Sequence, residues 1–328
     1  MILLFLLLCY AIILIGDVMS KYVDSIIGHA IGDAMGVPTE FRDRETLLMN
    51  PVVEMKGYGS HFVPAGSWSD DTSMEIATID SFIEKGCFDY YDIMTKFLKW
   101  INNGEYTATG EVFDVGRTCL KALNNFNNGI EPLKCAVNSE NYNGNGSLMR
   151  ILPVALYSYS KKLKEEDIIS LTNDISSLTH SHNISKLGCY IYVRYVIFLL
   201  EGLSKEEAYK KIQSLDYNSY GEDAINCYDR ILKNNISDLS LDDIKSTGYV
   251  VDTLEASLWI VLHADSYRDA IIASTNIGND TDTIGAVTGS MAGIIYGIDI
   301  IPESWLDKLL RKDYLIDLAT KFEEKVEC

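Results

Sequence analysis

The chain has 328 residues, of which 47% are hydrophobic, so it is long enough to bury a full core as one large domain or two small ones. Its formal net charge of −19 repels phosphate backbones, which argues against a nucleic-acid-binding protein that works by charge attraction. The seven cysteines are scattered without a Cys-x-x-Cys pair, which favours free thiols in a reducing compartment over disulfides or a zinc site. We therefore expect a cytoplasmic protein.

Residues 1–15 are almost wholly apolar, a composition typical of a signal-peptide core or a short membrane anchor. However, this run has no Lys or Arg before it, no clear small-x-small cleavage site after it, and fewer than the roughly 20 residues that span a bilayer. Met19 offers a second start just before a polar segment. We interpret residues 1–18 as an apolar extension, upstream of the true start or outside the fold, and residues 19–328 as the domain. A membrane-anchored or secreted form is the alternative.

The first predicted helix runs through small and apolar residues from Ile26 to Gly36, a composition typical of a tightly packed buried helix that ends near Pro38. Glu40 follows this end directly, and it is either a solvated loop residue or a site residue. Sequence alone favours the loop residue. Residues 42–65 show no sustained period and predict a long loop with one or two short elements.

The next helix begins at Ser69, Asp70 and Asp71, just before an apolar face at helical spacing. Acidic residues at a helix N-terminus suit the helix dipole, which is a purely structural explanation for them. Adjacent carboxylates beside a hydroxyl are also typical of one half of a metal site. The apolar face consists of Ile76, Ile79, Phe82 and Ile83.

Four more helices are predicted from apolar residues that recur on one face. Ser204 with Glu207 forms a capping box, and Ser266 caps a short helix. No alternating pattern lasts long enough to propose a strand, so the predicted fold is all-α. The four faces are Ile93, Phe97, Trp100 and Ile101; Val115, Cys119, Ala122, Leu123 and Phe126; Ile168, Leu171, Ile175 and Leu178; and Leu254, Leu258, Val261 and Leu262.

Polar segments interrupt these helices. Asp114 precedes one helix and is interpreted first as its cap.

Residues 143–150 form a Gly-rich turn before a helix, whose free N–H groups suit a phosphate or another anion, although a plain turn has the same composition. His180 and His182 suggest zinc, but a total of five histidines and the lack of a cysteine cluster argue against it.

The most informative stretch is the polar segment of residues 278–283, which joins a buried helix. Asp280 and Asp282 are two residues apart, so their carboxylates can converge while Thr283 adds a hydroxyl. Two such carboxylates repel each other, whereas Mg²⁺, Mn²⁺ or Ca²⁺ is satisfied by this oxygen donor set. An acidic loop with an N-cap is the alternative.

Glycines recur every four residues in the helix that follows this segment. Each glycine in a helix interior costs about 1 kcal/mol relative to alanine, so a face of four predicts that another backbone packs very close. We expect a central helix that holds the acidic segment rigidly at its N-terminus. The glycines are Gly285, Gly289, Gly293 and Gly297.

Four ordered motifs resemble those of the ADP-ribosylglycohydrolases of the dinitrogenase-reductase-activating type, over nearly the whole chain from Ile26 to Gly297. The resemblance implies a single compact orthogonal helical domain, with two Mg²⁺ or Mn²⁺ ions in a central cleft. It also implies a glycosidase that cleaves ADP-ribose from arginine or serine side chains of modified proteins, or from small ADP-ribosyl compounds. The motifs are Gly32–Glu40, Trp68–Thr72, Gly144–Arg150 and Gly278–Thr283.

The resemblance also implies roles for particular residues. Glu40 matches a carboxylate at the metal site, and Glu40 or Asp70 would act as general acid or base. The family usually has threonine where this chain has Ser69, which keeps the hydroxyl, but Arg117 stands where smaller polar residues are common. The implied metal ligands are Ser69, Asp70, Asp71, Asp280, Asp282 and Thr283. The implied substrate contacts are Asp114, Gly144, Asn145, Gly146, Ser147, His182 and Tyr249.

Hydrolysis at the anomeric carbon passes through an oxocarbenium-like state, which nearby carboxylates stabilise while a metal ion orients the ribose hydroxyls. The alternative is a non-catalytic ADP-ribose-binding protein or a structural, crystallin-like relative. The retained acidic ligands argue against this alternative, because a structural protein gains little from repelling carboxylates. A metal-dependent phosphohydrolase is a second alternative. The linkage cleaved, the choice between Mg²⁺ and Mn²⁺, and the oligomeric state stay open.

Overall fold

Sixteen α-helices form the regular structure of residues 20–328, the part of the chain that the computed structural model describes. The all-α prediction is confirmed, and the interpretation of residues 1–18 lies outside the described residues. The helices are α1 (Lys21–Gly36), α2 (Arg44–Met49), α3 (Asp70–Lys85), α4 (Tyr90–Asn103), α5 (Arg117–Asn127), α6 (Leu152–Ser160), α7 (Glu165–Ser177), α8 (Asn183–Leu200), α9 (Lys205–Ile212), α10 (Glu222–Cys227), α11 (Asp229–Lys233), α12 (Val250–His263), α13 (Tyr267–Thr275), α14 (Thr281–Tyr296), α15 (Glu303–Leu306) and α16 (Lys312–Glu327).

Helices α1 and α14 pack backbone against backbone in the centre of the domain. A methyl group on Gly32 would lie 1.9 Å from the carbonyl oxygen of Gly285, and one on Gly28 would lie 2.4 Å from that of Gly289. Neither position has room for a side chain, which explains the glycine face and confirms the predicted close packing. The helices run antiparallel, so the end of α1 meets the start of α14.

Two buried threonines join the end of α1 to the start of α14. The Thr39 hydroxyl contacts the Thr281 hydroxyl at 3.0 Å and also donates to the carbonyl of Thr275 at 2.9 Å. The Thr281 hydroxyl donates to the carbonyl of Gly36 at 2.9 Å. Because these bonds lie away from water, they fix the turn after α1, which carries Glu40, beside the first turn of α14.

Helix α8 lies in the core and is apolar on nearly every side. Of the described helices, it alone has the length and composition of a membrane span, with a mean hydropathy of 1.2. However, 78% of this stretch is buried within the protein, which is typical of the central helix of a globular domain.

The structure confirms most of the predicted helix signals. Ser204 and Glu207 form the capping box of α9, and Ser266 caps α13. Ser69 caps α3, which places Asp70 and Asp71 in its first turn. The prediction that Asp114 caps α5 is wrong, because that helix begins at Arg117 and its N-cap residue is Gly116. The Gly116 N-cap adopts an extended backbone, which leaves Asp114 in the preceding loop.

Gly32→Ala is expected to destabilise the protein by about 2 kcal/mol or more, because the added methyl group overlaps a backbone that cannot move without separating α1 from α14. Urea unfolding measures this change in the free energy of unfolding. Gly144→Ala is the matched control, because its methyl group would meet its nearest neighbours only at 3.7 Å. Equal destabilisation by the two substitutions would show that the close contact is not what makes Gly32 necessary.

Candidate active site

Four chain segments bring acidic side chains to one cleft of about 390 Å³: the turn after α1, the first turn of α3, the loop before α5 and the start of α14. Glu40, Asp70 and Asp114 line the cleft, together with Asp280 and Thr283. The structure therefore brings acidic side chains from four distant parts of the sequence to one place. This convergence requires the antiparallel contact of α1 with α14.

Carboxylate oxygens of Glu40, Asp280 and Asp282 lie within 4.8 Å of one another. Asp282 is buried at the start of α14, and Glu40 is buried in the turn that Thr39 anchors. Asp280 occupies the N-cap position of α14 but makes no capping hydrogen bond with its side chain. This geometry disfavours the interpretation of Asp280 as a simple helix cap.

The other predicted ligands lie beside this group. The Ser69 hydroxyl donates to Asp71 Oδ2 at 3.0 Å, and the Thr283 hydroxyl donates to the same oxygen at 3.4 Å. Asp70 Oδ2 accepts a hydrogen bond from the backbone N–H of Gly116 at 3.3 Å. The six residues predicted as ligands therefore form one continuous polar cluster.

Burial and mutual repulsion perturb these carboxyl groups. Burial is the largest cause, and it raises the pKa of Asp70, Asp71 and Asp282 well above the ordinary range; the neighbouring carboxylates raise it further. Burial also raises the pKa of Asp280, although hydrogen bonds from Asn145 and Thr283 oppose the shift. Without a cation, the cluster favours protonated carboxyl groups over several adjacent negative charges.

The donor set fits hard divalent cations. Asp71 Oδ1 is buried and has no hydrogen-bond partner among the described residues, although Oδ2 of the same side chain has two. An orphaned carboxylate oxygen in a buried acidic cluster is an available ligand. The surrounding ligand atoms are carboxylate and hydroxyl oxygens, which Mg²⁺ and Mn²⁺ prefer.

Asp33 holds the first turn of α3 in place, a role that the sequence analysis did not find. Its buried carboxylate accepts hydrogen bonds from the backbone N–H of Ser69 at 2.9 Å and from the Thr72 hydroxyl at 2.7 Å. Burial raises the pKa of Asp33 to about 6 despite these bonds. Asp33 thus connects the scaffold helix α1 directly to the segment that carries Ser69, Asp70 and Asp71.

The Gly-rich loop of residues 143–147 contributes to the cleft that Glu40 also lines. The Asn145 side chain donates to Asp280 Oδ2 at 2.7 Å and to the Thr253 hydroxyl at 2.9 Å, so it positions an acidic side chain of the cluster. Gly144 and Gly146 line the cleft with their backbones. Ser147 is fully buried behind the loop.

The two neighbouring histidines lie in different places. His180 lines the cleft, and burial together with the charge of Arg150 lowers its pKa to about 3, so it is neutral. His182 instead caps α8 and lines a second pocket of about 730 Å³, which it shares with Tyr249. An isolated β-bridge pairs Gly144, which lines the cleft, with Tyr249, which lines the second pocket, so the two pockets are neighbours.

His61 is a further site residue that the sequence analysis missed, because residues 42–65 have no periodic pattern from which a contact could be inferred. Its Nε2 lies 2.5 Å from Glu40 Oε2, and its ring packs 5.0 Å from that of Phe113. The hydrogen bond with Glu40 raises the pKa of His61. Burial raises the pKa of Glu40 to about 7, so the pair holds a proton near neutral pH.

Comparison with known proteins agrees with this site. The sequence matches the family model described as ADP-ribosylglycohydrolase over residues 16–327. It is 31% identical to the ADP-ribosylarginine hydrolase Tri1 of Serratia proteamaculans, over 92% of this chain and 78% of that protein. It is 28% identical to the ADP-ribosyl-[dinitrogen reductase] glycohydrolase of Rhodospirillum rubrum, over 89% of this chain and 91% of that protein.

A solved structure titled ADP-ribosylglycohydrolase-related protein complex superposes with a TM-score of 0.78 and 26% identity, over 93% of this chain and 98% of that chain. The helical fold and the acidic cleft thus define a hydrolase of glycosidic bonds to ADP-ribose. The chain belongs to the ADP-ribosylglycohydrolase family, as the four sequence motifs predicted.

Asp282→Ala is expected to lower kcat at least about a hundredfold, because the cleft loses a buried carboxylate that stabilises charge in the transition state. Release of free ADP-ribose measures turnover, and calorimetry with Mn²⁺ measures whether metal affinity falls in parallel. Asp317→Ala is the control, since Asp317 is an exposed residue of α16. Near-normal turnover and metal affinity in Asp282→Ala would contradict the ligand role.

The metal-free protein is expected to lose stability as the pH rises from 5.5 to 8. The folded state binds more protons than the unfolded state in this range, because burial raises the pKa of Glu40 from its ordinary 4.5 to about 7 and raises those of the buried aspartates as well. The buried histidines His29 and His180 oppose this effect below pH 6.5, since burial lowers their pKa to about 3, but the raised carboxyl groups outnumber them. Urea unfolding in chelator at both pH values measures the difference.

The matched variant for this measurement is Asp282→Asn, which removes one of the raised carboxyl groups. Its loss of stability between pH 5.5 and 8 is expected to be smaller than that of the wild type. An unchanged pH dependence in the variant would show that the cluster is not the source of the effect.

Proposed function

We propose that the protein hydrolyses the bond between ADP-ribose and arginine side chains of modified proteins, with two divalent cations, Mg²⁺ or Mn²⁺, bound in the acidic cleft. The observation that carries the proposal is the convergence of Glu40, Asp280 and Asp282 within 4.8 Å, in a cleft that adjoins a second pocket. The arginine linkage is supported by the hydrolase Tri1 described above, which is named for ADP-ribosylarginine.

The two neighbouring pockets suit the two ends of ADP-ribose. We place the adenosine in the second pocket, beside His182 and Tyr249, where a base can lie against the tyrosine ring. The diphosphate then lies along the loop of residues 144–147, whose backbone N–H groups suit an anion. This placement brings the distal ribose to the carboxylates of the cleft.

The cluster suits a reaction that develops positive charge on the ribose. The bond from the anomeric carbon to the guanidino nitrogen breaks, and the departing nitrogen takes up the proton held by Glu40. The oxygen of a water molecule bonds to that carbon, and the proton that this water loses passes to a carboxylate of the cluster. The carboxylates of Asp70 and Asp280 stabilise the oxocarbenium-like state. When bound, the divalent cations neutralise the cluster and polarise substrate oxygens.

Glu40 is the residue we favour as general acid over Asp70. Asp70 Oδ2 accepts a hydrogen bond from the backbone N–H of Gly116, whereas the Glu40 carboxyl group has a titratable side chain as its proton partner. The imidazole of His61 is in contact with the same carboxyl group and can return a proton to it.

We extend the proposal to location and partners. The net charge of −19 favours a protein or small-molecule substrate over a nucleic acid. The cysteines of the described residues are free thiols, which suits the cytoplasm.

The decisive experiment measures free ADP-ribose released from arginine-linked and from serine-linked ADP-ribosyl peptides, each with Mg²⁺, with Mn²⁺ and with chelator. We expect release from the arginine-linked peptide in the presence of a divalent cation and none with chelator. Release from the serine-linked peptide alone would refute the arginine linkage. If neither peptide is cleaved while ADP-ribose binds by calorimetry, the protein is a binding protein instead.

A further inference from the structure

The most exposed apolar side chains of residues 20–328 are concentrated in one segment, which begins at the cleft residue Phe41. Phe62 is 88% exposed, Met49 79%, Phe41 73% and Tyr58 63%, and no other large apolar side chain in this part of the chain exceeds 60%. All four lie between Glu40 and the first turn of α3. Exposed apolar side chains in one segment are typical of an interaction site rather than of a solvated loop.

Three of these residues form what we call the aromatic rim: Phe41, Tyr58 and Phe62. Tyr58 and Phe62 contact each other edge to face, with ring centroids 5.1 Å apart. Phe41 packs 5.9 Å from His61, the residue before Phe62, and also lines the cleft. The rim is therefore continuous with the mouth of the cleft at Glu40.

The rim is held in a fixed conformation. Phe41 and Tyr58 have φ angles of 61° and 56°, a region that bulky L-residues rarely adopt and that the surrounding structure must hold in place. The N–H of Phe41 donates to the carbonyl of Asn279 at 2.7 Å, and that of Tyr58 donates to Val63 at 2.8 Å. A preorganised apolar surface loses little conformational entropy when a partner covers it.

The position of Phe41 identifies the partner. Phe41 lines the cleft together with Glu40 and is 73% exposed, so it lies at the cleft mouth, whereas His182 and Tyr249 line the second pocket. If the adenosine of ADP-ribose fills that second pocket and the distal ribose lies at the carboxylates, the group attached to this ribose leaves the cleft past Phe41. A free amino acid would end there, whereas a protein would extend over the rim.

We propose that the aromatic rim docks the protein part of an ADP-ribosylated protein, so that the enzyme prefers modified proteins to small ADP-ribosyl compounds. This inference rests on the proposed function, because it takes ADP-ribose as the ligand of the cleft. Aromatic side chains are enriched in such interfaces, where a few of them carry most of the binding energy.

The test compares kcat/KM for a folded protein ADP-ribosylated on surface arginines with kcat/KM for free ADP-ribosyl-arginine, in the wild type and in the double variant Tyr58→Ser, Phe62→Ser. Neither residue lines the cleft. We expect the variant to lose about tenfold with the protein substrate, mainly through KM, and to cleave free ADP-ribosyl-arginine at the wild-type rate. Tyr91→Ser is the matched control, because Tyr91 is 59% exposed on α4.

Each other outcome has a distinct meaning. An equal loss on both substrates, no loss on either, or a wild type that prefers free ADP-ribosyl-arginine would overturn the docking proposal while leaving the proposed function intact. Light scattering that shows a dimer in the wild type and a monomer in the variant, without selective loss on the protein substrate, would assign the rim to self-association. A wild type that cleaves neither substrate would refute the proposed function itself, and the docking proposal with it.

Discussion

The closest contact between helices in this protein is also the one on which its active site depends. Helices α1 and α14 meet through glycines, and the separation of their backbones is too small for a single methyl group at Gly32. This contact sets where α1 ends and where α14 begins. Because Glu40 follows one end and Asp280 and Asp282 occupy the other, the scaffold determines the distances within the acidic cluster.

The cluster itself opposes folding, since several carboxyl groups are buried near one another. Hydrogen bonds with neighbouring side chains hold the segments that carry these carboxyl groups in place. Asp33 fixes the first turn of α3, Asn145 holds Asp280, and the threonine pair Thr39 and Thr281 fixes the turn before Glu40. A site assembled in this way is strained without cations and geometrically ready to receive them, which is the arrangement that preorganised electrostatic catalysis requires.

Sequence reasoning predicted the site wherever a local pattern encoded it. The two-residue spacing of Asp280 and Asp282 predicted that their carboxylates converge. The position of Ser69 and Asp70 just before an apolar helical face predicted their place at a helix N-terminus. His61 could not be predicted, because its contact with Glu40 depends on how an aperiodic loop folds back. Helix α8 gave little periodic signal because it is buried on nearly all sides, so it has no polar face to contrast with an apolar one.

The segment between Glu40 and α3 exposes most of its apolar side chains, although Arg44, Val52 and His61 bond it to the rest of the domain. Within residues 41–62 only Leu47, Val52 and Met55 are buried apolar side chains, whereas α1 and α14 admit almost no change along their shared face. Substitutions of the exposed side chains in this segment are therefore tolerated far better than substitutions on the glycine face that α1 and α14 share. On the docking proposal, changes at Tyr58 and Phe62 alter the targets that are recognised while His61 and the acidic cluster keep the hydrolytic chemistry, which makes substrate choice a readily evolvable property of this active site.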